Sequence, residues 1–168
     1  ALDPEVGKRV QDFYSGCSFP DYDPDDTPGM LISKGQKSGF PHWLNEQMAF
    51  GKKVRVLDVG CGTGQLPIFL SLNNRSVVGA DFTLRSLQKG KAFARQYNLG
   101  NVEFVQMNLF APTLRERSFD YVISMGVLHH TSDARRAFAS ISRLAKPGGF
   151  VMVGLYNSIA RLPTDFRR

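Results

Sequence analysis

Val54-Arg-Val-Leu-Asp-Val-Gly-Cys-Gly-Thr-Gly-Gln65 decides how this chain of 168 residues is read. Val54, Val56, Leu57 and Val59 suit a short buried strand, and three glycines follow at alternate positions. Glycine at 60, 62 and 64 admits backbone angles and close approaches that a β-carbon forbids, so the strand runs into a tight turn. Gln65-Leu-Pro-Ile-Phe-Leu70 then opens a helix, with Pro67 in the first turn, where its missing N–H costs nothing. Strand, glycine turn and helix in that order can hold a nucleotide-like ligand.

Spacing and charge say which ligand. A dinucleotide fingerprint places glycines as G-x-G-x-x-G, but the third position after Gly62 is Gln65, and the pattern here is G-x-G-x-G. Asp58 stands two residues before the first glycine, where a carboxylate repels a pyrophosphate and accepts hydrogen bonds from an ammonium, directly or through water. These two residues oppose a nicotinamide-dependent oxidoreductase, which otherwise shares the βαβ unit.

Asp58-Val-Gly60-Cys-Gly62-Thr-Gly64 resembles the first motif of the class I S-adenosylmethionine-dependent methyltransferases, an acid followed by G-x-G-x-G after a strand. The resemblance runs over about residues 54–157, with the motifs in the expected order. It implies S-adenosyl-L-methionine as cofactor, S-adenosyl-L-homocysteine as product, and cofactor contacts from Asp58, Gly60, Cys61, Gly62 and Gly64.

Arg75-Ser-Val-Val-Gly-Ala-Asp81 reads as a second strand ending in an acid placed to take both ribose hydroxyls, and Phe82 beside it is expected on the adenine. A helix over Thr83–Tyr97, burying Leu84, Leu87, Ala94 and Tyr97, leads to a third strand, Val102–Met107. Asn108 and Leu109 follow. The family often has aspartate where Asn108 stands, and an amide carbonyl still accepts a bond from the adenine amino group, without the charge.

Phe119-Asp-Tyr-Val-Ile-Ser-Met-Gly126 is the fourth strand, with Met125 and Gly126 at the cofactor. Its exit loop, Val127-Leu-His-His-Thr-Ser-Asp133, resembles the branch of the family acting on small molecules and lipids. Residues at the carboxyl end of such a strand face the ligand crevice, making His129 and His130 the general-base candidates, although loop histidines also serve as caps and a good nucleophile needs no base. Ser132 is expected to cap a helix burying Ala134, Ala137, Phe138, Ile141 and Leu144. Lys146-Pro-Gly-Gly149 is then a turn before the fifth strand, Phe150–Tyr156, whose exit holds Asn157 and Arg161 as further substrate-contact candidates.

The alternation gives an α/β, Rossmann-like, doubly wound, mostly parallel sheet, and the resemblance implies the class I methyltransferase fold. That fold has seven strands, so the reading here is of a chain truncated after the fifth, the amino-terminal part of a longer enzyme. Residues 51–168 form the S-adenosylmethionine-binding methyltransferase domain, without the C-terminal strands. Residues 1–50 form a helical and loop segment covering the cofactor site.

Within that first segment, residues 1–18 place Val6, Val10, Phe13 and Tyr14 at helical spacing. Phe19 and Tyr22, in a loop rich in proline and aspartate, either pin it to the body or cover a ligand. Met30–Phe50 is helical in parts, with Pro41 starting the second piece and Trp43, Leu44, Met48 and Phe50 buried; Lys34, Phe40 and His42 are weaker site candidates.

Composition narrows the function further. The first fifty residues carry eight acids and four bases, so the net +6 resolves into −4 there and +10 over the remainder. A basic body attracts nucleic acid or anionic lipid, but Arg85, Lys89, Lys91 and Arg95 lie singly on a helix face, as solvated charge does; a non-catalytic nucleic-acid or cofactor-binding module is the less favoured reading. Cys17 and Cys61 make neither a disulfide framework nor a metal set, which fits a reducing cytoplasm. No eighteen apolar residues run together, so membrane insertion is not expected. Neither an N-P-P-Y-like motif nor a cluster of metal-binding acids is present, which disfavours amide methylation and magnesium-dependent catechol chemistry. The acceptor expected is a small molecule or lipid.

Overall fold

The structure is a computed structural model that describes residues 20–48, 53–73 and 75–155. Five parallel strands lie in the order β3-β2-β1-β4-β5: β1 Arg55–Val59, β2 Ser76–Asp81, β3 Val102–Gln106, β4 Phe119–Met125 and β5 Ala145–Gly154. The helices are α1 Pro28–Lys37, α2 Gly39–Gln47, α3 Gln65–Ser71, α4 Leu84–Gln96 and α5 Ala134–Ser142. The Val6–Tyr14 stripe, Cys17, Phe19, Phe50, Tyr156, Asn157 and Arg161 lie outside the described residues.

Both faces of a parallel sheet are covered, so its central strands are apolar on both sides. In β1 Val56 enters the core under α1–α4, whereas Leu57 and Val59 enter the opposite core with Ala137 and Ile141 of α5 and Leu144 beyond it. Successive strand residues point to opposite faces, which is why one five-residue segment serves both cores. The chain moves outward from β1 through β2 to β3, then returns to place β4 on the other flank of β1. The helices that follow β1 and β4, α3 and α5, pack on opposite faces of the sheet, and such a switch point is where sheets of this kind place a ligand.

Four glycines set close approaches to two aromatic rings. Gly35 of α1 lies against the Phe69 ring of α3, leaving no room for a β-carbon. Phe104 of β3 lies against Gly64, Gly79 and Gly90, so one aromatic ring fills the gap between β2, β3, α4 and the glycine turn.

Several sequence expectations are corrected. Asp133, not Ser132, caps α5, its carboxylate accepting the Arg136 N–H at 2.9 Å, because Asp133 is the residue directly before the first helical one, Ala134, from which a side chain reaches the third amide of the helix. Ala134 and Phe138 are exposed, since α5 meets the sheet through the narrow stripe Ala137, Ser140 and Ile141. Leu84 is exposed because it is the first residue of α4, just past the end of β2. Trp43 is 48% exposed, because α2 buries only Leu44 and leaves the neighbouring position outside. Lys146-Pro-Gly-Gly149 does not precede β5 but interrupts its pairing: Ala145 is opposite Phe119 and Phe150 opposite Tyr121. Lys146 holds this irregularity by donating to Asp120 at 2.8 Å. Among the described residues no helix is long and apolar enough to cross a membrane.

Alanine at Gly90 tests this packing. In a helix interior the change normally stabilises by about 1 kcal/mol. Here its β-carbon would stand 2.4 Å from the Thr63 carbonyl oxygen and within 3.0 Å of the Phe104 ring. Gly90→Ala is expected to lose about 1–3 kcal/mol in urea unfolding; a gain would contradict the close approach.

Candidate functional site

The turn after β1 follows from its backbone. Gly60, Gly62 and Gly64 have φ of 82°, 57° and 84°, the left-handed region that glycine alone enters freely. The Gly60 and Cys61 N–H groups both donate to the Ala80 carbonyl of β2, at 2.7 and 3.1 Å. Gly62 N–H donates to Asp81 Oδ2 at 2.9 Å. The neighbouring strand thus holds the first half of the turn.

Two of the glycines are required by packing as well as by conformation. A β-carbon on Gly60 would stand 2.2 Å from a methyl of Val127, so the exit of β4 leans directly on the turn. On Gly64 it would stand 2.2 Å from the Phe104 ring. Ser124 Oγ, fully buried, donates to the Val59 carbonyl at 3.0 Å and ties the ends of β4 and β1 together.

Asp58 is the second-to-last residue of β1 and is 4% exposed. Among the described residues no donor reaches its carboxylate. Burial, with the negative charge of Asp81 added, pushes it up to about 7. Asp81 ends β2 and also accepts the Thr83 N–H at 2.8 Å, starting α4; burial raises it in spite of its backbone hydrogen bonds. Cys61 is buried beside Gly79, and burial with the two acids raises its thiol. The turn is therefore flanked by buried groups that disfavour negative charge and favour a cation.

The other expected residues divide. Phe82 is half-buried at the end of β2, its carbonyl accepting from Gln106 Nε2 at 3.0 Å. Asn108 Oδ1 already accepts the Phe110 N–H at 2.9 Å, which shapes the β3 exit and leaves one acceptor direction on that oxygen. Leu109 packs on the second core. Met125 turns towards β5, its methyl 2.3 Å from where a Gly154 β-carbon would be. Gly126 has φ of 71°, and a β-carbon there would meet nothing within 4 Å. His129 and His130 form a short 3-10 turn with facing Nε2 atoms 3.0 Å apart, so one ring donates and the other accepts.

Lys34, Phe40 and His42 play other parts. Lys34 pairs with the buried Asp26 at 2.6 Å and with Asp23 at 3.2 Å, Phe40 packs on the first core, and His42 is exposed on α2. Tyr22 pins its loop, stacking on Phe93 at 4.7 Å and donating to the Thr63 carbonyl. Thr63, Ser124 and Val127 were not legible as site residues; Thr63, between two glycines of the motif, carried the only signal. Among the described residues no three His, Cys, Asp or Glu side chains stand together to hold a metal.

Comparison with known proteins gives the family and the fold. The methyltransferase domain family matches residues 56–149. The ubiquinone biosynthesis O-methyltransferase of Acinetobacter baumannii is 29% identical over 126 residues, 74% of this chain and 52% of that protein. The chain spans about half the length of the curated relatives it matches. The crystal structure of Bacillus subtilis YcgJ superposes with a TM-score of 0.61 at 26% identity, over 67% of this chain and 48% of that one. The PH0226 protein of Pyrococcus horikoshii shares the fold, with a TM-score of 0.68 at 24% identity, over 91% and 65% of the two chains.

The buried Asp58 gives a signed expectation. A carboxyl raised from 3.8 to about 7 on folding binds an extra proton in the folded state between those values. Its contribution is favourable below about pH 4 and is lost as pH rises to 7, leaving a penalty above. Asp58→Asn is therefore expected to gain stability over the wild type progressively from pH 4 to 7, by on the order of 2–4 kcal/mol, in ligand-free denaturant unfolding. A pH-independent difference would show that Asp58 is not strained by burial.

Proposed function

Starting from a chain that belongs to the methyltransferase domain family, we propose that it binds S-adenosyl-L-methionine between the exits of β1 and β4 and methylates a small-molecule or lipid acceptor. The observation that carries this reading is Asp58, a buried carboxylate with no donor among the described residues, beside a glycine turn. An ammonium fits it and a pyrophosphate does not, so the nicotinamide reading falls away. When bound, the cofactor supplies a methyl already activated on a sulfonium. Asp58 receives its ammonium, directly or through water, and Asp81 accepts from the ribose hydroxyls with the lone pairs left after Gly62 and Thr83. Phe82, Asn108 and Leu109 hold the adenine. Gly60, Cys61, Gly62 and Gly64 shape the floor, and Met125 and Gly126 the wall towards β4.

The protein's chief contribution is alignment of nucleophile, methyl and sulfur, because holding reactants in line removes most of the entropic barrier. The cofactor, held by Asp58, Asp81 and the glycine turn, would supply its methyl to an acceptor oxygen, and His129 or His130, or water, would take the acceptor's proton. The relative named for ubiquinone biosynthesis methylates oxygen, which supports a hydroxyl acceptor here.

Calorimetric titration of the full-length protein with S-adenosylhomocysteine and, separately, NADH tests the reading. Micromolar binding of the first and none of the second is expected; the reverse would overturn it. Asp81→Ala is expected to weaken S-adenosylhomocysteine by about 1.5–3 kcal/mol, since the ribose hydroxyls lose a charged acceptor. Binding is also expected to tighten as pH rises through about 7, with a proton released, because an ammonium beside Asp58 favours its ionised form.

A further inference from the structure

Residues 20–26 lie on the outer side of the glycine turn and grip it at Thr63, the fully buried residue between Gly62 and Gly64. Tyr22 Oη donates to the Thr63 carbonyl at 2.9 Å, and Thr63 Oγ1 donates back to the Pro20 carbonyl. Gln65 Nε2 donates to the Asp21 carbonyl at 2.8 Å, and Lys89 of α4 reaches both Asp21 oxygens at 2.7 Å. The far end of the segment is anchored separately, by Tyr97 Oη on the Asp26 carbonyl at 3.0 Å and by the Lys34–Asp26 pair at 2.6 Å. Burial raises the Tyr22 phenol, so it stays a donor.

This arrangement fixes the turn from two sides. Gly62 N–H is held by Asp81 from within the sheet, and the next carbonyl, Thr63, is held by Tyr22 from outside. The Thr63 carbonyl oxygen also lies directly against Gly90 of α4, where a β-carbon would stand only 2.4 Å from it. We propose that Tyr22 is a positioning residue for the cofactor turn, and that docking of residues 20–26 and binding at the turn are coupled, each favouring the other by the same factor. This rests on the reading that the turn binds S-adenosylmethionine. A loop that merely covers the site needs no bond to the turn's backbone. Here the bonds go to a carbonyl one residue from Gly62 and to the side chain that opens α3.

The test uses the full-length protein and S-adenosylhomocysteine as probe. Tyr22→Phe keeps the ring on Phe93 and removes only the donor. Its dissociation constant is expected to rise about 3- to 10-fold, the effect of one hydrogen bond to a buried carbonyl. Ligand is expected to slow hydrogen exchange at the Asp21, Tyr22 and Asp23 amides strongly in the wild type and less in the variant. A purely structural tyrosine would lower the melting temperature and leave both readouts unchanged, which would overturn the proposal. Thr63→Val, which removes the reciprocal donor to Pro20, is expected to shift both readouts the same way and serves if Tyr22→Phe does not fold. A wild type that fails to bind the probe would overturn the cofactor reading and the coupling with it, whereas a binding wild type with an unaffected Tyr22→Phe would overturn the coupling alone.

Discussion

The end of β2 holds the turn that follows β1, and the rest of the site depends on that contact. Because β1 and β2 are parallel and in register, with Val59 opposite Ala80, the two strand ends arrive at the same height. The Ala80 carbonyl can then take two turn amides and the Asp81 carboxylate a third. A slip of one residue would turn Asp58 and Asp81 towards the other faces of the sheet and remove the acceptors from beneath the turn. The register is fixed in turn by the two cores, since Val56 and Leu57 cannot exchange faces without each entering a space shaped for the other.

Electrostatics at this point run against stability. β1 is otherwise apolar in its buried positions, yet Asp58 places a carboxylate among them with no donor within the described residues. Asp81 lies close enough to raise it further, although its own two backbone bonds moderate the strain. Folding takes Asp58 out of water and Asp81 partly so, with no ion pair to either among the described residues. The cost makes sense if a cationic group is the intended partner, because the same burial that raises the carboxyl in the free protein strengthens its attraction to an ammonium.

Much of this was legible in the sequence. The parallel sheet and the places of Asp58, Asp81 and the three glycines at its strand ends follow from the alternation and from the motif's position between a strand and a helix. Local chemistry misled where tertiary contact decides. Lys146-Pro-Gly-Gly149 has the composition of a turn, but Asp120 across the strand pair holds it within β5 as an irregularity. Phe104 gave no sign of its role, because a lone aromatic in a strand says nothing about meeting three glycines from three elements. Tyr22 allowed two readings, and only its partner, a backbone carbonyl forty-one residues away, separates pinning from covering.

The glycines show where the ligand has room. Gly60 and Gly64 lack side chains for conformational reasons, but the space they leave is already taken, by Val127 from the β4 exit and by Phe104 from beneath. Neither can admit a ligand atom where its β-carbon would have been. Gly126 differs: its left-handed backbone also requires glycine, and the space above it is clear among the described residues. Of these three positions only Gly126, at the exit of β4, leaves the place of its β-carbon open among the described residues, and His129 and His130 follow it closely in the chain. The two acids thus stand at the ends of β1 and β2, whereas the histidines stand on the other flank of β1, at the exit of β4.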